Sequence, residues 1–315
     1  MLTVLEVTLP VFALVLCGWI AARTRLLGDV GVEGINAFVF WFALPAMLFR
    51  AVAAHPVSRI ADLRFFAAFL LAGAVLYAGV LWAARRRPAG ERTALAFSST
   101  HGNVGYLGLP LLAQFGDDAR LPAMVMAMIA DICVLIVGTI VLFEFARSGT
   151  GRGEVEVPLH RRVGAALGGL LRTPLILGIV AGLVFSATET RLPAAADSFV
   201  RLLAQAAGPC ALFAIGASLG ARAVVVDTAV RGLLLAKLVL HPMLVGAAMW
   251  LFDADPTLAA IGILAAALPT ASNTYILSQR YGIDTRSIGS AIVVGTFTAA
   301  ATVSFVIWLL QLKPV

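Results

Sequence analysis

The stretch FSSTHGNVGYLGLPLL at 97–112 sits inside a long apolar segment, and Ser98, Ser99, Thr100, His101, Gly102, Asn103, Gly105, Gly108 and Pro110 crowd its middle. A second apolar segment carries AAALPTASNTYILSQRYG at 265–282, where Pro269, Thr270, Ser272, Asn273 and Thr274 gather in the same way. Glycine and proline weaken or interrupt a helical hydrogen-bond ladder, and small hydroxyl and amide side chains satisfy the backbone groups that are freed. Each stretch therefore reads as a helix broken near its centre. Non-helical backbone at bilayer depth is tolerated only where it is buried in protein or faces water.

The surrounding sequence shows that a bilayer is the relevant solvent. The chain has 315 residues, of which 61% are hydrophobic and only 13% charged, with a mean hydropathy of +0.97. A soluble domain is nearer 45–50% apolar and about 25% charged. A span needs roughly 20 mainly apolar residues, which leaves room for about ten. Ten segments can be drawn, at approximately 4–22, 33–51, 63–84, 92–114, 121–146, 166–187, 197–219, 228–251, 256–280 and 286–311. The expected fold is an all-α polytopic membrane protein with ten transmembrane helices. The N-terminus has no basic n-region or small-residue cleavage site and reads as a retained first span. Cys17, Cys133 and Cys210 are odd in number, lie in apolar stretches and form no CxxC, so neither a disulfide framework nor a metal site is expected. No Walker A motif occurs, and neither a cofactor nor nucleic-acid binding is expected.

The longest polar interruption, RSGTGRGEVEVPLHRR at 147–162, leaves five spans on each side. The expected organisation is a first repeat at 1–147, a cytoplasmic linker at 148–162 and a second repeat at 163–315. If loops alternate between two faces, one face carries 15 arginines and the other 7 basic residues. The richer face includes Arg23, Arg25, Arg85, Arg86, Arg87 and Arg172. By the positive-inside rule it is cytoplasmic, which puts both termini outside.

An odd number of crossings per half makes the second half enter from the opposite side, so homologous halves would form an inverted repeat. LPAMLF at 44–49 and GPCALF at 208–213 share Pro-x-x-Leu-Phe at an offset of 164, and Asn103 and Asn273 align at an offset of 170. Matching breaks in corresponding spans point to a transport site, and the helix N-termini they create favour an anion.

HGNVGYLGLPL at 101–111 resembles the Asn-x-Gly-Phe-Leu-Gly-Leu-Pro pattern of the auxin efflux carrier family, with Tyr106 in place of its Phe. LPTASNTYILSQRYG at 268–282 resembles that family's second signature, Pro-x-x-x-Asn followed by Tyr-Gly. LPAMLF and RTPLILG at 172–178 fit its bacterial branch of malate- and malonate-type permeases. The resemblance covers the whole chain. It implies a ten-helix inverted repeat in which spans four and nine cross at their breaks, with Asn103 and Asn273 binding a substrate carboxylate. The long central hydrophilic loop of the plant members is missing here, so nothing about that loop carries over.

On this reading His101, Thr100, Ser272 and Thr274 line the substrate site, and Gly102, Gly105, Pro110 and Pro269 make the breaks. Asp131 lies mid-span, where a carboxylate is costly, and Lys237 and His241 share a helix face four residues apart; these three are candidates for charge or ion coupling. Glu144 and Glu6 are expected at the membrane interface. Gly-Ala-Ser-Leu-Gly at 216–220 matches a hydrolase nucleophile elbow, but Gly216 with Gly220, like Gly178 with Gly182, reads better as helix packing. The expected function is a secondary transporter of a small mono- or dicarboxylate by alternating access, and not an enzyme. Its partners would be the anion, the lipid bilayer and a coupling H+ or Na+, with a homodimer left open. The rivals are a sodium-coupled symporter of bile-acid type, an intramembrane hydrolase using Ser218, and a non-transporting sensor.

Overall fold

The computed structural model describes residues 2–56, 62–115, 120–148, 159–188, 192–220 and 224–312. Residues 149–158 of the expected linker, together with Arg59, Arg152, Arg191, Arg222 and Lys313 from the charge count, lie outside these. The described chain is helical throughout. The helices are α1 (Leu2–Arg23), α2 (Asp29–Ala53), α3 (Leu63–Ala83), α4 (Ala89–Thr100), α5 (Val104–Ala113), α6 (Leu121–Ala146) and α7 (Leu159–Leu171). They continue as α8 (Pro174–Thr188), α9 (Ala194–Gly220), α10 (Thr228–Leu251), α11 (Pro256–Ala267), α12 (Ser272–Arg280) and α13 (Arg286–Leu309). Seven of them (α1, α2, α3, α6, α9, α10 and α13) are long and apolar enough to cross a membrane.

The fourth and ninth expected segments each form two short helices, α4 with α5 and α11 with α12, parted at 101–103 and 268–271. The sixth is shorter than expected. Pro174 disfavours helical backbone at Thr173, so α7 stops at Leu171 and only α8 continues.

Asp62, Asp227 and Asp255 start α3, α10 and α11 by accepting first-turn N–H groups, from Phe65 (2.7 Å), from Val230 (2.8 Å) and from Thr257 and Leu258. The Ser287 hydroxyl and the Val230 N–H hold the Asp227 carboxyl below the usual carboxylate range. Wide turns interrupt α2 at Val39–Ala43 and α10 at Ala236–Leu240 and open α5 at Val104–Gly108, each ending two residues before a proline, namely Pro45, Pro242 and Pro110. Proline donates no hydrogen bond and clashes with the carbonyl four residues back, and widening the turn relieves both. A fourth wide turn, Asp131–Ile136, begins at the mid-span aspartate without a proline.

Helices from the two ends of the sequence pack on one another: α1 on α9, α2 on α8 and α3 on α10. The first two contacts depend on glycine. A Cβ on Gly18 would lie 2.0 Å from Phe213 O, and one on Gly216 would lie 1.8 Å from Val15 O. In α8, a Cβ on Gly178 would lie 2.6 Å from Pro45 O, and one on Gly182 would lie 2.8 Å from Phe49 O. The small-residue pairs at 216/220 and 178/182 are thus packing surfaces, as their spacing predicts. α6 runs through the middle of the bundle. Nine of the ten residues of Leu121–Ala130 are buried, so Asp131 is enclosed by protein and not by lipid.

Candidate functional site

Each broken helix leaves carbonyls unpaired at one end and N–H groups unpaired at the other, and in hydrocarbon each such group costs several kcal/mol. The two breaks solve this together. Gly102 and Thr270 face each other as an isolated antiparallel pair. The Asn103 N–H donates to Pro269 O (2.9 Å) and the Ala271 N–H to His101 O (3.2 Å). The Thr270 hydroxyl donates to Ser98 O at 2.8 Å. Pro269 forces Leu268 into extended backbone, which ends α11 and turns its own carbonyl toward Asn103.

A side chain at Gly102 would make this approach tight. A Cβ there would sit 3.1 Å from Ala265 O and 3.2 Å from Lys237 Nζ. At Gly108 a Cβ would meet the Leu268 side chain at 2.6 Å, whereas at Gly105 it would make only ordinary contact with Met128.

Charge is placed on both sides of the junction. The Gly102 N–H donates to Asp131 Oδ2 at 3.2 Å. Lys237 Nζ donates to Ala266 O (2.7 Å), at the negative end of α11, and lies 2.9 Å from His241 Nδ1. His101 stacks on Phe97 and brings its Nδ1 to 3.5 Å from Asp131 Oδ2. All four side chains are buried, and among the described residues Asp131 Oδ1 and His241 Nε2 have no hydrogen-bond partner. Lys237 therefore does not reach toward the interface; it pins the end of a half-helix. Lys237 and Asp131 are opposite charges buried on the two sides of Gly102, so removing the ammonium leaves the carboxylate uncompensated. Lys237→Met is expected to lower the thermal unfolding temperature of the purified protein sharply, and adding Asp131→Asn to recover part of the loss. An unchanged unfolding temperature in Lys237→Met would show that the pair carries no stability.

The junction forms one wall of a cavity of about 560 Å³. His101, Gly102, Asn103, Gly105, Ser272, Asn273 and Asp131 are on this wall, and Asn36, Trp41, Leu175, Ile215 and Ser218 are among those facing it. Among the described residues, neither the Asn103 nor the Asn273 side-chain amide is engaged in a hydrogen bond. Asn103 is the N-cap of α5, and Asn273 is the second residue of α12, whose N-cap is Ala271. The arrangement offers neutral donors and two helix N-termini to a small anion, inside a largely apolar enclosure.

Two expected lining residues are placed elsewhere. The Thr100 hydroxyl donates to Ala96 O and Phe97 O, and the Thr274 hydroxyl donates to Ala271 O; both are fully buried and neither lines the cavity. They secure helix ends. Glu6 is exposed, and Glu144 is buried within the protein, accepting the Tyr281 hydroxyl at 2.8 Å. Asn36 and Ser218 were not foreseen as cavity residues. The Asn36 signal was available, as a lone amide inside the second apolar segment, whereas Ser218 was hidden among small packing residues.

A helical membrane protein with an anion-compatible cavity at the meeting of two broken helices has the form of a transporter. Residues 3–307 match the family described as Membrane transport protein, and the chain belongs to that family, as a multi-pass membrane transporter and not an enzyme. It is 30% identical over 310 residues to the Rhizobium meliloti (strain 1021) protein named "Putative malonate transporter", covering 96% of this chain and 94% of that one. It is 25% identical over 315 residues to Uncharacterized transporter YfdV of Escherichia coli (strain K12), covering 96% of each. Auxin efflux carrier component 8 of Arabidopsis thaliana is 24% identical over 370 residues, covering 98% of each chain. Family membership sets aside the reading of Ser218 as a hydrolase nucleophile. Within its helix, Ser218 accepts a hydrogen bond from Asn36 at 3.2 Å.

Proposed function

We propose that this chain is a secondary active transporter that moves a small carboxylate, of the malonate or malate kind, across a bacterial inner membrane by alternating access. The observation that carries the reading is the junction itself: two broken helices, joined backbone to backbone, present Asn103 and Asn273 with unengaged amides to one cavity. Asn103 and Asn273, with the N-termini of α5 and α12, grip the carboxylate, and His101 and Ser272 complete that wall. The malonate name of the Rhizobium relative supports the substrate class.

The architecture we propose is ten spans in two inverted repeats, 1–147 and 163–315 around the 148–162 linker, with α4–α5 and α11–α12 as the crossing pair. Symmetric contacts support it. Gly18 against Phe213 O and Gly182 against Phe49 O are the same contact displaced by 164 residues in each partner, the offset that relates Pro45 to Pro209. Packing of α1 on α9 is likewise the counterpart of α8 on α2.

The wall opposite the junction is built from the start of α2, the start of α8 and the end of α9. These ends adjoin the arginine-rich loops, so with the positive-inside orientation the cavity belongs to an inward-facing state and both termini are outside. Lys237 already places an ammonium group behind the junction. We therefore assign coupling to a proton and not to sodium.

The test is uptake of labelled malonate by the purified protein in liposomes. Uptake above empty liposomes, equal in sodium and choline media and enhanced by an imposed pH gradient, is expected. Uptake that requires sodium would overturn the coupling assignment, and absence of flux for every small carboxylate would overturn the function.

A further inference from the structure

The cavity wall facing the junction carries a second polar element whose hydrogen-bond balance is specific. Asn36 Nδ2 donates both to Val32 O (2.9 Å) and to Ser218 Oγ (3.2 Å). Both amide hydrogens are thereby used, and the Val32 carbonyl fixes which end of the amide is nitrogen. Among the described residues, Asn36 Oδ1 is left as a free acceptor and the Ser218 hydroxyl hydrogen as a free donor, on two side chains that line the cavity together. A carboxylate only accepts and is repelled by Oδ1. A neutral carboxyl group, with one O–H and one C=O, satisfies both.

The charges around the cavity agree. Among the described residues, its lining includes no lysine or arginine. The junction provides for one negative charge, through two amides and two helix N-termini. Among the described residues, the ionisable side chains lining the cavity are His101, Asp131 and the Tyr106 phenol, with Lys237 and His241 behind them on α10. Lys237 is opposed by Asp131 across Gly102, which leaves no cationic side chain for a second carboxylate.

We propose that the Asn36–Ser218 pair is a second substrate subsite and that dicarboxylates are carried as their monoanions, the charged carboxylate at Asn103 and Asn273 and the protonated carboxyl at Asn36 and Ser218. This rests on the carboxylate-transport reading and narrows it. A proton then moves with the substrate as part of its O–H group, with no covalent step.

The probes are malonate, malonamate and propionate, with binding to the purified protein followed by calorimetry from about pH 5 to about pH 8. Malonamate keeps a single charge over this range, and its amide supplies both a donor and an acceptor. Malonate affinity should fall about tenfold per pH unit above its second ionisation, following the monoanion, while malonamate affinity stays constant. Ser218→Ala and Asn36→Leu should weaken malonamate about tenfold and leave propionate unchanged. Three results would overturn the proposal: malonamate losing affinity with pH as malonate does, which places the titrating proton on the protein; malonate binding equally well as the dianion; or the variants weakening propionate as much as malonamate. The wild-type pH series decides the matter even if a variant fails to fold. If wild-type protein binds none of the three probes, the carboxylate reading itself fails, and this subsite with it.

Discussion

Replacing Asn103 or Asn273 by alanine is expected to reduce malonate uptake by about 10- to 100-fold each, the effect of leaving a buried charged group short of one hydrogen bond. Thermal stability should stay near wild type. Neither amide holds the fold together: among the described residues their side chains are unengaged, and the junction is closed by backbone atoms, through the Asn103 N–H on Pro269 O and the Ala271 N–H on His101 O. Substitution removes the ligand contact and leaves the break intact. The measurement is initial uptake in liposomes at matched protein density, with the unfolding temperature recorded for each variant. Uptake at the wild-type level in both variants would move the substrate away from the junction. A collapse in stability would instead make the asparagines structural.

The largest effect on folding is expected from Gly216→Ala. The added Cβ would lie 1.8 Å from Val15 O, 2.7 Å from Val15 C and 2.9 Å from Trp19 N, all backbone atoms of α1. No rotamer change relieves such a clash, so α1 and α9 must separate along their whole contact. Over-packing typically costs about 1–3 kcal/mol and sometimes more; here rigid backbone on both sides puts the cost at or above the upper end. The variant should express poorly or elute as aggregate from a size-exclusion column. Gly232→Ala in α10 is the control. Nothing lies within 4 Å of its Cβ, and alanine in place of a helical glycine stabilises by about 0.5–1 kcal/mol. Equal behaviour of the two variants would show that the α1–α9 contact is looser than the distances indicate.

How far each feature could be read from sequence depended on whether its cause was local. The breaks were legible because Gly102 and Pro269 act on their own helices, whereas Pro110 lies inside α5 and only follows a widened turn. The glycine pairs were legible through their four-residue spacing, since close helix approach selects small residues on one face. The sixth segment came out too long because hydropathy does not register the effect of Pro174 on Thr173. Thr100 and Thr274 looked like ligands because their chemistry is right, but a hydroxyl in a helix can bond to a carbonyl one turn back, and both do so here. Glu144 looked interfacial from its position near a span end, and its partner Tyr281 lies 137 residues further on, beyond any local signal.

By itself the sequence determined that the chain is a helical membrane protein, where its helices are interrupted, and the family to which it belongs. Each of these follows from composition, from residues that act within one turn, or from motifs a few residues long. Only the tertiary structure decided that the two breaks are one site. The Gly102–Thr270 pairing joins segments 168 positions apart in number, and what drives it is the cost of unpaired backbone in hydrocarbon, which each break relieves only by meeting the other. The same holds for Asn36 and Ser218, 182 residues apart. Each is an ordinary polar residue within its own helix, and the donor and acceptor they offer the cavity exist only once α2 and α9 are packed together.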